Sequence, residues 1–175
     1  MAESLRDIKR QTQAVEKTKQ ITRAMNMVAA SKLKSAQTRM ENFRPYATKV
    51  MEVLQSLSSQ MGFSSNPLLA VREAKKVRVI LMTSDKGLCG GFNTNVIKTA
   101  EEFLRNQKRE GKEVSMIAVG KKGRDHFRRK ETIAGHHIDV LNRFTMDLAV
   151  EIGNEVIFPF EEAEYDELYV IYNEF

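Results

Sequence analysis

Apolar residues in the first third of the chain recur at alternating intervals of three and four. They lie in a stretch, Ser4 to about Met61, with no glycine and a single proline, Pro45. The series runs Leu5, Ile8, Thr12, Val15, then turns polar at Lys19, Thr22 and Asn26. It resumes as Ala29, Leu33, Ala36, Met40, Phe43, Ala47, Val50, Leu54, Leu57 and Met61. A mean interval of about 3.5 is the seam of a coiled coil and predicts one long helix. At ~1.5 Å per residue it extends roughly 85 Å, several times the radius of a domain this size, so much of its stripe requires a partner helix or other chains. Ser4 is placed as N-cap, with Asp7 in the first turn where the helix dipole favours an anion. Pro45 removes a backbone bond and crowds the carbonyl of Glu41, a cost of roughly 3 kcal/mol. Register continues across it, from Met40 and Phe43 to Ala47 and Val50, which predicts one kinked helix rather than two.

Between Lys17 and Lys34 the seam positions are polar, while Ile21, Met25 and Val28 draw a second apolar line beside it. A helix with two adjoining apolar faces contacts more than one partner or changes partner along its length. A local phase shift of the supercoil gives the same pattern.

The pattern changes type after the breaker Gly62 to Pro67. The predicted organisation is a coiled-coil helix over 1–61, a linker over 62–76 and an α/β domain over 77–175. Leu68 to Lys75 reads as a short helix or a tether. Val77 to Thr83 is a buried strand, Asp85 to Gly91 a glycine-rich turn, and Asn93 to Arg109 a helix with Val96, Ile97, Ala100, Phe103 and Leu104 on its period. Val114 to Val119 is a second strand, Gly120 to Arg129 a short basic helix, and Ile138 to Leu141 a weak strand. Thr145 to Ile157 is a helix, and Leu168 to Tyr172 the last strong strand. Alternating strands and helices predict a small Rossmann-like parallel sheet. A chain that stops at Phe175 directly after a strand reads as the N-terminal portion of something longer.

Charge sharpens this division. Residues 1–60 hold 11 Lys/Arg against 5 Asp/Glu, whereas residues 61–175 hold 17 against 18. The basicity belongs to the long helix and points to an acidic partner surface. It is thinly spread for phosphate binding, with only Phe43 and Tyr46 as aromatics, which argues against nucleic acid. The apolar runs fall short of the ~20 residues of a membrane span, and the N-terminus has no signal-peptide core. One cysteine, Cys89, excludes an internal disulfide and fits a reducing compartment.

No catalytic constellation emerges. Ser84 to Asn93 (SDKGLCGGFN) lies between a strand and a helix, where open α/β sheets bind ligands, and its glycines suit a phosphate. It matches neither G-x-G-x-x-G nor the P-loop, because Lys86 precedes the glycines. A nucleotide site and a tight structural or partner-contact turn both remain open. Cys89 has no base nearby in sequence, His136-His137 lacks further ligands at metal spacing, and the acidic run Glu161 to Glu167 shows no acid–base pair. Gly120 to Arg124, with Arg128, Arg129 and Lys130 beyond, reads as a solvated basic face or as a contact for an anionic partner. The residues describe an extended basic helix joined to a small α/β domain, a coupling or scaffolding part. Its alternatives are a nucleotide-binding domain or a coiled-coil adaptor.

Two segments carry a specific resemblance. Ile21 to Lys34 (ITRAMNMVAASKLK), followed by Arg44-Pro45-Tyr46, and Ser84 to Asn93, in that order and spacing, resemble the gamma subunit of F-type ATP synthase. The similarity covers essentially the whole chain. It implies a non-catalytic rotor protein without cofactor or metal, whose N-terminal helix pairs with a long C-terminal helix inside a ring of alpha and beta subunits. Its α/β domain would sit against epsilon and the membrane c-ring, making it a peripheral membrane protein that is not itself inserted. By matching position, Ile21, Met25, Val28, Ala29, Ser31, Lys32 and Lys34 would face the ring. Asp85, Lys86, Gly87, Leu88 and Cys89 would lie near the lever region of beta. The chain departs from the family in lacking the C-terminal helix, which leaves the seam exposed and implies self-association.

Overall fold

The computed structural model describes residues 4–60, 66–140 and 145–174. The chain divides into two units, Met1–Met61 and Gly62–Phe175.

The first unit is one α-helix, α1 (Leu5–Gln60), 56 residues long and continuous through Pro45. Ser4 caps it: its Oγ accepts from Arg6 N at 3.3 Å, and its carbonyl accepts from Asp7 N and Ile8 N. Four threonines, Thr12 and Thr22 of the seam among them, are satisfied within the helix. The hydroxyls of Thr12, Thr18, Thr22 and Thr48 each donate to the carbonyl four residues earlier, at 2.9–3.0 Å. Such back-bonding lets a β-branched polar residue sit mid-helix without calling on a partner. No side chain of α1 among the described residues is buried.

In the second unit, a single 3₁₀ turn (Pro67–Leu69) is capped by Asn66, whose Oδ1 accepts from Leu68 N at 2.9 Å. The stretch read as a short helix or tether is therefore this turn followed by extended chain. Arg72 fastens the extended part, donating to the carbonyls of Phe160 (2.7 Å) and Tyr165 (3.3 Å) with its guanidinium 4.5 Å from the Phe160 ring centre. There follow β1 (Lys76–Met82), α2 (Phe92–Arg109), β2 (Glu113–Val119), α3 (Lys121–Phe127), β3 (Thr132–His137), α4 (Met146–Glu161) and β4 (Glu167–Ile171). The four strands are parallel in the order β3-β2-β1-β4.

The sheet has helices on both faces, and β1 shows why. Val77, Val79 and Leu81 alternate onto one face and pack with Val96, Ala100 and Leu104 of α2, Phe127 of α3, and Met116. Ile80 points the other way and joins Ile117, Val119, Val156 of α4 and Tyr165. A strand covered on both sides reads as a continuous apolar run, as Val77 to Met82 does apart from Arg78. Arg78 is accommodated by stacking over the Tyr165 ring at 4.5 Å and donating to Ser115 Oγ at 3.2 Å.

Two expectations are corrected. The third strand is Thr132–His137, not Ile138 to Leu141; residues 138–140 follow it as irregular chain, and Leu141 lies outside the described residues. Thr-Ile-Ala-Gly-His-His gives no strand signal because β3 is an edge strand of mostly small and polar residues, alternately exposed and half-buried until the buried His137. The helix expected to end at Ile157 runs to Glu161 with Pro159 inside it. A proline two residues from the end forfeits one backbone bond in the last turn and does not stop the helix.

Candidate partner-contact site

The two segments that carry the sequence resemblance lie in different units. On α1, Ile21, Met25 and Val28 fall one turn apart along a single line and are 61%, 61% and 57% exposed. Ala29, Ser31, Lys32 and Lys34 are exposed as well. Met27 is exposed too. It sits two residues from Met25, roughly 200° around the helix, so the apolar surface here is wider than two adjoining lines. These apolar side chains are uncovered on a basic helix.

In the second unit the Ser84–Asn93 segment joins β1 to α2 at the carboxyl end of the sheet. The chain reverses direction across the sheet between β1 and β4, so this loop stands at the topological switch point. Asn93, in the first turn of α2, organises it from inside. Its Oδ1 accepts from Ser84 N (2.9 Å) and from Ser84 Oγ (3.1 Å). Its Nδ2 faces Ser84 Oγ (2.8 Å) and Cys89 Sγ (3.1 Å), and reaches the Lys86 carbonyl at 3.4 Å. The loop thus closes on its own side chain, where a phosphate-binding loop holds its ligand with backbone amides.

The rest of the loop is held against α3. Asp85 Oδ1 accepts from Lys121 N at 2.9 Å, satisfying one of the free donors at the start of that helix. Thr83 Oγ1 accepts from Gly123 N at 2.8 Å. Gly120 lies so close that a Cβ on it would come 2.1 Å from the Thr83 carbonyl oxygen, and its φ of +102° is open only to glycine.

With both ends fixed, the tip projects. Lys86, Gly87, Leu88 and Cys89 are exposed; Leu88 is completely so, with a left-handed backbone at φ 61°. Leucine is rare in that conformation and costs of order 1–3 kcal/mol there. Asp85, by contrast, is half-buried and positions the loop from below. Cys89 is a free thiol beside Asn93, with no histidine among its hydrogen-bond partners.

Elsewhere the acidic run after α4 is structural. Asp166 Oδ2 accepts from the backbone amides of Lys75 and Lys76, both at 2.8 Å, and these bonds, that from Lys76 foremost, lower its pKa below the usual carboxylate value. The basic face beyond α3 helps line a cleft of about 670 Å³ at the opposite, amino end of the strands, with Lys76, Arg78, Lys112, Arg128 and Lys130 around it. Sequence spacing also gave no partners for His137, which the fold sets against Glu151 and Glu155 of α4.

The family model described as ATP synthase matches residues 4–175. The ATP synthase gamma chain of Syntrophus aciditrophicus is 58% identical over 172 residues, covering 98% of this chain and 59% of that protein. That of Desulfosudis oleivorans is 47% identical, with the same shares covered. This chain therefore spans about three fifths of the length of the curated relatives it matches. Among solved structures, the central stalk and c-ring of the Tetrahymena thermophila mitochondrial ATP synthase contains a chain with a TM-score of 0.68 at 28% identity, over 89% of this chain and 66% of that one. Both the long helix and the parallel-sheet unit fall within the matched family, and the chain belongs to the ATP synthase gamma chain family.

Proposed function

We propose that this chain is part of the central-stalk rotor of an ATP synthase, a non-catalytic shaft that couples rotation to ATP synthesis or hydrolysis on neighbouring beta subunits. The observation that carries this reading is the 56-residue helix with no buried side chain among its described residues, in a chain of the gamma family. Such a helix is stable only when its stripe is covered by other helices or subunits. The seam Ala29 to Leu57 serves the second helix of the shaft, supplied by the remainder of the gamma length. Ile21, Met25, Val28, Ala29, Ser31, Lys32 and Lys34 bear on the alpha and beta ring. The basic charge of α1 suits acidic ring surfaces.

The loop tip Lys86–Cys89, with Asp85 beneath it, is a second contact with beta. The α/β unit meets epsilon and the c-ring, which places the protein peripherally at the membrane face. No helix among the described residues is long and apolar enough to cross a membrane. The way Asn93 fills the Ser84–Asn93 loop favours this contact role over nucleotide binding. Isothermal titration with ATP and NAD tests that choice: the contact role predicts no saturable binding, and micromolar binding at this loop contradicts it. On its own, the chain is expected to self-associate through the uncovered seam. Analytical ultracentrifugation checks this, and a clean monomer with a fully helical N-terminus would count against it.

A further inference from the structure

α4 carries two apolar lines. Leu148, Ile152 and Val156 recur every four residues on its inner side; Leu148 and Val156 are buried, and Ile152 packs against the core around Ile117. The second line is Met146, Val150, Gly153 and Ile157, at intervals of four, three and four, roughly 130° around the helix from the first. Its large side chains are uncovered: Met146 is 71% exposed, Val150 51% and Ile157 38%. Apolar residues scattered singly on a surface are ordinary, but these keep the spacing of a coiled-coil seam. A Cβ on Gly153 would meet open space, so the line has a notch wide enough for a large side chain of a neighbouring helix. The polar side of α4 is acidic, with Asp147, Glu151, Glu155 and Glu161 and no lysine or arginine. Glu151 and Glu155 face His137. Asp147 and Glu161 are exposed beside the second line, roughly 100° and 60° around from Met146.

A helix that fits this face has an apolar line at the same intervals with cations at its flanks. The chain contains one. On α1, Ala29, Leu33, Ala36, Met40 and Phe43 recur at intervals of four, three, four and three, and Leu33 and Phe43 are more than half exposed. Over the same stretch Lys32, Lys34, Arg39 and Arg44 stand against a single acid, Glu41. We propose that α1 of one copy docks on the second line of α4 of another copy. The chain then self-associates through two different surfaces rather than by pairing like helices, and two copies that exchange this contact close as a two-fold dimer. The contact needs only a free seam on α1 and does not depend on the proposed rotor role.

Sedimentation equilibrium of the tag-free chain and of two variants tests this, Leu33→Glu on α1 and Val150→Glu on α4, both at exposed positions. Each variant alone should self-associate about tenfold more weakly than the unaltered chain, or worse. Mixed in equal amounts they should form a one-to-one complex, because one contributes an intact α4 and the other an intact α1. Ile157→Glu should behave as Val150→Glu does, and circular dichroism confirms that the variants fold. An unaltered chain that stays monomeric would overturn the docking. So would a Val150→Glu chain that associates as tightly as the unaltered one, the mark of pairing between like α1 seams, or an equimolar mixture of the two variants that stays monomeric.

Discussion

Gly120 is where the second unit tolerates least change. Its positive φ and the contact a Cβ would make with the Thr83 carbonyl act together, so Gly120→Ala should destabilise the unit by about 3 kcal/mol or more in chemical unfolding. Leu88 presents the opposite case, a side chain whose removal helps the fold. Leu88→Gly relieves a left-handed leucine and should raise the Tm slightly while weakening association with a partner. A fall in both would show that the tip is structural. Asp166 sets a pH dependence. Its pKa is lower folded than unfolded, so its contribution is fully present above the unfolded value of about 3.9 and is lost as pH falls through the folded one. Asp166→Ala should therefore lower the Tm at pH 7, and the gap to the unaltered chain should narrow in acid below about pH 4. None of these three roles could be read from residue type. Gly120 and Asp166 owe theirs to neighbours 37 and 90 positions away that only the fold brings close, and Leu88 owes its own to a left-handed backbone that leucine rarely adopts.

Elements with a strong period were legible and those without one were not. The seam of α1, the apolar runs of β1 and β2 and the face of α2 each repeat a pattern that burial or partner contact enforces, and each element lies within a residue or two of its expected bounds. β3 escaped because an edge strand covered in part, by Ile133 on one face and His137 on the other, needs no apolar run; Ile138 and Val140 beyond it offered a misleading one. α4 runs beyond its expected end at Ile157, because the last turn tolerates Pro159. At Pro45 the seam keeps register on both sides, and α1 runs through it as one helix rather than two. Its cost has to be offset by what covers the helix. Pro45→Ala should accordingly raise the melting temperature of α1, measured by circular dichroism, by restoring a backbone bond worth up to ~3 kcal/mol in a helix interior.

For the molecule as a whole, the two units differ in kind. One is a helix that supplies surface and little internal packing; the other is a small sheet domain with its own two-sided core. The proposed contact residues are exposed in both, except Asp85, which the sequence placed among them and the structure uses to anchor α3. The central claim is that this chain belongs to a shaft turning within a ring of catalytic subunits. Co-expression of the full-length protein carrying this sequence with its cognate alpha, beta and epsilon subunits, followed by purification through beta, tests it most directly. The rotor reading predicts one stable complex containing the protein, weakened when Met25 and Val28 are both replaced by aspartate. A folded full-length protein that never associates with those subunits would contradict it.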